Sequence, residues 1–353
     1  DDGKMNEKWQ NACRKDHEAF LEWQKRHKGT FRDYSKQDID KAGKNIRLAG
    51  VRHEWQSLLL NVNKKMPTVL QAAIAAHHGK LGFNFEQRWI KEGMGDFWRA
   101  FQKESNSKSE TLDLMQLANV QYEFSGIRGL LQLADHRASA KEDNDFVPDH
   151  TTFNYQFPFP SKRGVQELVE KHWKEELLLV RAPTGAGKTD ASLLWASLQI
   201  TNKRADRLII AMPTRFTSNA LSISVAENLS DTGLYHSSAW FNRFQNKIEK
   251  GEVTRQKAER IHEFARLLET PVTVCTIDHL LMALTLTREE HHLITFNMAH
   301  SCLVIDEADF YDEFTQANIL VLLKILKAWN VPVLLMSASL PEAVLIEYKS
   351  IGY

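Results

Sequence analysis

Apolar residues along this chain repeat in two ways. In the first part they recur every three to four positions, over 7–25, 39–49, 51–60, 67–78 and 112–140, with polar or glycine-bearing stretches such as 103–108 between them. That period places the apolar side chains on one stripe of a helix, so the region is predicted to be all-helical. After the segment 141–160, which turns to Lys-Glu-Asp-Asn-Asp and then Phe157-Pro158-Phe159-Pro160, the pattern changes. Short continuous apolar runs at 177–180, 207–212, 272–276, 302–305 and 331–336 are spaced by helical patterns. Strands that alternate with helices predict a mostly parallel sheet with helices on both faces. The expected architecture is therefore multi-domain: an all-α domain over 1–145, then an α/β domain over 146–353.

The chemistry concentrates in the second region. Ala182-Pro183-Thr184-Gly185-Ala186-Gly187-Lys188-Thr189 follows a strand and opens a helix, with Ala182 standing where the phosphate-loop pattern has its first glycine. A phosphate there meets the unpaired N–H groups and the positive end of a helix. Gly185 and Gly187 allow close backbone approach across Thr184 and Ala186, Lys188 adds a full charge, and the Thr189 hydroxyl is placed for Mg2+. Asp306-Glu307-Ala308-Asp309 follows another strand. Asp306 is expected to reach Mg2+ through water, and Glu307 to orient the attacking water beside the γ-phosphate of ATP.

Composition narrows the partners. The 353 residues hold 45 Lys+Arg and 45 Asp+Glu, so no global field attracts nucleic acid and any strand must be held in a local groove. Cys13, Cys275 and Cys302 are far apart, which points to reduced thiols in a cytoplasmic protein rather than a disulfide framework. No apolar run approaches the roughly 18–20 residues of a membrane span, and no membrane partner is expected. The chain opens Asp1-Asp2-Gly3-Lys4 without an initiating Met, so further residues are expected upstream.

The ordered motifs of the second region resemble the first RecA-like lobe of superfamily 2 helicases. By that resemblance Gln166 reads the adenine edge, Pro213-Thr214-Arg215 and Thr276-Ile277-Asp278 contact a nucleic-acid backbone, and Ser337-Ala338-Ser339 couples ATP turnover to strand movement. From the residues alone, Thr214 and Asp278 also suit helix capping. The family usually has Thr where Ser339 stands. A second such lobe, expected beyond Tyr353, would complete the motor.

The helical region carries Asp1-Asp2-Gly3-Lys4, Arg52-His53-Glu54, Ala76-His77-His78-Gly79 and Leu133-Ala134-Asp135, in the order of an HD-type phosphohydrolase. An HD domain ahead of a superfamily 2 motor resembles the helicase-nuclease of type I CRISPR systems. The resemblance runs from Asp1 through Pro341. It implies metal ligation by Asp1, His53, His77, His78 and Asp135, with Lys4 as a nearby catalytic cation. Imidazole-rich ligand sets favour transition metals such as Mn, Fe, Co or Ni, and a metal pair sharing a carboxylate can cleave a phosphodiester. The implied partners are single-stranded DNA and an RNA-guided CRISPR surveillance complex. His136 stands where the family has an aromatic residue, and Asp309 where it more often has His. A helicase whose helical domain is catalytically degenerate is the competing expectation, with a non-catalytic ATP-binding switch behind it.

Overall fold

A computed structural model of the chain describes residues 2–27, 43–50, 53–60, 66–76, 114–142, 153–214, 217–218, 221, 225, 232–236, 245–252, 254–286 and 288–351. Two compact units divide between Lys108 and Ser109.

In the first unit all described elements are helical: a short 3-10 turn Asp2–Met5, then Glu7–His27, Lys44–Ala49, His53–Leu60 and Thr68–Ala76. Residues 39–42, 51–52 and 77–78, parts of three helices expected from the sequence, lie outside the described residues. Asp16 ties the unit together by accepting the Asn45 N–H at 3.0 Å and the Ile46 N–H at 2.9 Å. A carboxylate there satisfies the first, otherwise unpaired donors of Lys44–Ala49 and complements its positive end. Ala72, Ala73, Ala75 and Ala76 are all buried on Thr68–Ala76, so small side chains let this helix pack closely.

Among the described residues the second unit is built on six parallel strands: β1 Leu177–Arg181, β2 Arg207–Met212, β3 Thr232–Tyr235, β4 Val272–Thr276, β5 Ser301–Ile305 and β6 Val333–Ser337, in the order β1-β6-β5-β2-β4-β3. Alternation sorts each strand between two cores. Ile209, Ala211, Leu303, Ile305 and Leu335 face one core, closed by helices Ile277–Ala283, Glu289–Ala299 and Glu313–Ala328. Leu208, Ile210, Cys302, Val304 and Leu334 face the other, closed by Gly164–Lys171 and Lys188–Thr201 around the fully buried Trp195. Burial on both faces is why these strands read as continuous apolar runs.

The helix Leu114–Glu142, which the sequence pattern groups with the helices before it, is packed in this second unit against Glu289–Ala299. Two glycines permit it. A Cβ on Gly126 would sit 2.9 Å from the Phe296 ring, and one on Gly129 would sit 3.0 Å from Leu293 Cα. Polar contacts line the seam: the Trp329 indole donates to the Ala118 carbonyl at 3.0 Å, Tyr122 Oη lies 2.9 Å from His300 Nε2, and Arg137 meets Glu269 at 3.4 Å.

Candidate functional site

Strand order separates two chemistries along one edge of the sheet. β1, β6 and β5 are neighbours, and their C-terminal ends lead into the phosphate loop, Ser337-Ala338-Ser339 and Asp306-Glu307. β2, β4 and β3 form the other half, and Pro213 and Thr276 lie at the ends of the first two. Ligand sites outside the carboxyl ends of parallel strands are a general consequence of this architecture.

The loop after β1 turns through Gly185 at φ 80° and Gly187 at φ 87°, and Lys188 begins the helix Lys188–Thr201. The Ala182 N–H donates to the Ser337 carbonyl at 3.0 Å, pinning the loop's start to β6. Lys188 Nζ folds back onto the Ala182 carbonyl at 3.3 Å. Thr184 is exposed at the loop's tip, while Ala186 and Thr189 are half-buried beside it. Gln166 is 2% exposed and braces the loop: its Nε2 donates to the Gly187 carbonyl at 3.3 Å, and its Oε1 accepts the Arg163 N–H at 2.8 Å. Sequence reasoning missed Arg163. Its guanidinium donates to the Gly185 carbonyl at 2.6 Å, and its place three residues before Gln166, at the start of a helix, was the available signal.

Opposite the loop, Asp306 is buried, and the Glu307 N–H donates to its Oδ1 at 2.8 Å. Burial pushes the Asp306 carboxyl up, against lowering by that N–H and by the nearby Lys188 charge. Glu307 is also raised, by burial first and then by the Asp306 charge. Its backbone is left-handed at φ 51°, ψ 44°, which turns the chain into the 3-10 segment Ala308–Phe310. Asp309 accepts a short hydrogen bond from the Ser339 hydroxyl, and the Ser339 N–H in turn donates to Ser337 Oγ at 3.1 Å. This arrangement has the kinds of group that ATP with Mg2+ requires: helix N–H groups, a lysine, a buried aspartate and a second carboxylate beside it.

On the other half, Thr214 lies after β2 and its Oγ1 accepts the Thr217 N–H at 3.3 Å, a capping contact. Thr276 begins the helix Ile277–Ala283 without a side-chain capping bond. Pro213 and Thr276 line one cleft. Arg215 lies outside the described residues.

Of the candidate metal ligands, Asp1, His77 and His78 lie outside the described residues. In the first unit His53 opens the helix His53–Leu60, with Nδ1 3.4 Å from Glu54 Oε2 and its ring 5.4 Å from that of Trp9. Lys4 sits in the turn Asp2–Met5, packed against that helix. Asp135 is half-buried on Leu114–Glu142 in the second unit, and His136 is exposed. Among the described residues no three His, Cys, Asp or Glu side chains gather to hold a metal ion, and no described helix is long and apolar enough to cross a membrane.

Sheet, loop and paired acids define a RecA-like nucleotide-binding lobe. Residues 163–346 match the DEAD/DEAH box helicase family, to which the chain belongs. That family implies an ATP-hydrolysing enzyme. The chain is 25% identical over 267 residues to the putative CRISPR-associated nuclease/helicase Cas3 of Methanocaldococcus jannaschii, covering 69% of this chain and 36% of that protein. It is 26% identical over 257 residues to the CRISPR-associated endonuclease/helicase Cas3 of Escherichia coli, covering 68% of this chain and 26% of that one. The fold matches the crystal structure of T. fusca Cas3-ATP with a TM-score of 0.61 at 21% identity, over 85% of this chain and 41% of that one. The helicase region is thus Cas3-like, and the chain spans about a third of the length of the first of these relatives.

Proposed function

We propose that the chain is the ATP-binding lobe of a DNA helicase joined to a metal-dependent nuclease, and that it acts on single-stranded DNA in CRISPR interference. The observation that carries the motor reading is the convergence of Lys188, Asp306 and Glu307 at one end of the sheet. Lys188 and the loop N–H groups hold the β- and γ-phosphates, Thr189 and Asp306 face Mg2+, and Glu307 orients the water. Gln166 bears on the adenine side, Ser337 and Ser339 relay turnover, and Pro213, Thr214, Arg215 and Thr276 hold the strand's backbone.

The nuclease reading is supported by the donor types of Asp1, His53, His77, His78 and Asp135, which suit Mn, Fe, Co or Ni, and Lys4 is the proposed catalytic cation. Such a site would hydrolyse phosphodiesters. Recruitment by an RNA-guided CRISPR surveillance complex is supported by the likeness to the Cas3 relatives. The proposed division is an HD domain over 1–145 and a motor lobe over 146–353, although the helix Leu114–Glu142 belongs to the second compact unit.

The test is cleavage of single-stranded DNA by metal-loaded protein without ATP. His77→Ala and Asp135→Ala are each expected to abolish cutting while nucleotide binding persists, and Lys188→Ala to abolish ATP-driven unwinding while cutting of a free single strand survives. Undiminished cutting by both ligand variants would sink the assignment of nuclease chemistry to these residues, and no cutting by the wild type would leave a helicase with a catalytically inert helical domain.

A further inference from the structure

We propose that the cleft lined by Thr276, Tyr235, Met282 and the start of helix Glu289–Ala299 is a base pocket, which takes one nucleobase out of a single strand lying over the ends of β2 and β4. This rests on the reading of Pro213 and Thr276 as backbone contacts and adds what they lack, since contacts to phosphate and sugar do not sense the base.

The cleft has a volume of about 440 Å³, within the range of roughly 300–1,000 Å³ common for small-molecule sites. Its wall is heteroaromatic. The Tyr235 ring is set 4.3 Å from His279, and His291 is buried in the lining. Burial pushes His279 down to about 4 and lowers His291, so both rings are neutral at ordinary pH. Met282, 49% exposed, adds a polarisable rim. Neutral rings and a thioether suit stacking against a neutral heterocycle.

The polar groups fit the same occupant. Arg266 and Arg288 approach Glu290 at 3.5 and 4.0 Å, and Asp278 lines the cleft nearby. Carboxylates among the arginines oppose a phosphate, whereas a base edge presents both N–H groups for Glu290 or Asp278 and carbonyls for the arginines. Arg288 has a side chain 63% exposed and can close over the base.

The test compares binding of a short mixed-sequence single strand with an all-abasic strand of equal length. Wild-type protein is expected to bind the base-bearing strand about tenfold more tightly, the scale of one stacked base. Met282→Trp, which fills the cleft, and Arg288→Ala, which removes its cover, should each bring the base-bearing strand down to the abasic level. Both change exposed side chains, and thermal melting verifies the fold. Equal binding of both strands by wild type overturns the pocket but leaves the nucleic-acid edge standing. Base dependence that survives both variants places base recognition elsewhere and also overturns the pocket. Failure to bind either strand overturns the pocket and the edge together.

Discussion

The Ser339 hydroxyl donates to the Asp309 carboxylate, joining the turn that follows Glu307 to the segment that follows β6. Burial alone would raise Asp309, yet hydrogen bonds from Ser337 and Ser339, its own backbone N–H and the Lys188 charge hold it below the usual carboxylate range. It is therefore ionised at every working pH, and the bond is charge-assisted. The link needs only these two side chains: the Ser339 hydroxyl as donor and the Asp309 carboxylate as acceptor.

This link predicts a coupling defect. Ser339→Ala and Asp309→Ala should each leave ATP binding intact and reduce strand unwound per ATP hydrolysed by about tenfold, in line with a hydrogen bond to a charged group. The double variant should be no worse than either single one. Wild-type coupling in both single variants, measured on a duplex with a single-stranded entry, would remove Ser339 and Asp309 from the relay.

The seam between Leu114–Glu142 and Glu289–Ala299 predicts an inverted helix-propensity result. Gly→Ala inside a helix ordinarily stabilises by about 1 kcal/mol. At Gly129 the added Cβ would meet Leu293 Cα at 3.0 Å, and backbone cannot swing aside as a side chain can. Overpacking of this kind costs about 1–3 kcal/mol, so Gly129→Ala should destabilise the protein in denaturant titrations. A gain in stability would show that the two helices are free to part.

That seam also marks what the sequence could and could not show. Leu114–Glu142 was visible as a helix from its own spacing, but its partner was not, because a stripe names the buried face and not what covers it. Gly126, Gly129 and Arg137 acquire meaning only beside Phe296, Leu293 and Glu269. Five strands were legible as apolar runs, whereas β3 is four residues long and contains Gly233, too little for a pattern. The phosphate loop and Asp306-Glu307 stood out because their chemistry is local. Gln166 is the reverse case: its contact with Gly187 spans 21 residues, and only the fold discloses it.

His292 predicts acid sensitivity of the same seam. It is 3% exposed, lies 3.3 Å from Ser125 Oγ and is met edge-on by Phe124. Burial first, then the Arg128 and His291 charges, pushes it down to about 3 from an ordinary 6.5. The folded ring stays neutral while the unfolded one takes a proton, so its contribution is complete above about pH 6.5 and is lost as pH falls towards 3. The slope is at most about 1.4 kcal/mol per pH unit. His292→Gln should flatten stability against pH across this window; an unchanged slope would show that His292 is not the titrating group.

Glu307 predicts a trade between strain and chemistry. A non-glycine residue at φ 51° is held there only by its surroundings, and such strain, of about 1–2 kcal/mol, gathers at functional sites. Glu307→Ala keeps the strained backbone and loses the carboxylate, whereas Glu307→Gly relieves the strain but gains chain entropy when unfolded. The glycine variant should therefore be the more stable of the two by about 1 kcal/mol, and both should be inactive. Glu307→Gln isolates the chemistry: ATP should still bind, and hydrolysis should fall by about 10²–10⁴, the share of a positioned general base. Because burial and Asp306 raise the Glu307 carboxyl, the acid limb of wild-type hydrolysis should lie above the ordinary glutamate value of 4.5, with activity falling as protonation removes the base. Full hydrolysis by Glu307→Gln, with fold and ATP affinity intact, would assign the water to another residue and leave the left-handed turn a purely structural device.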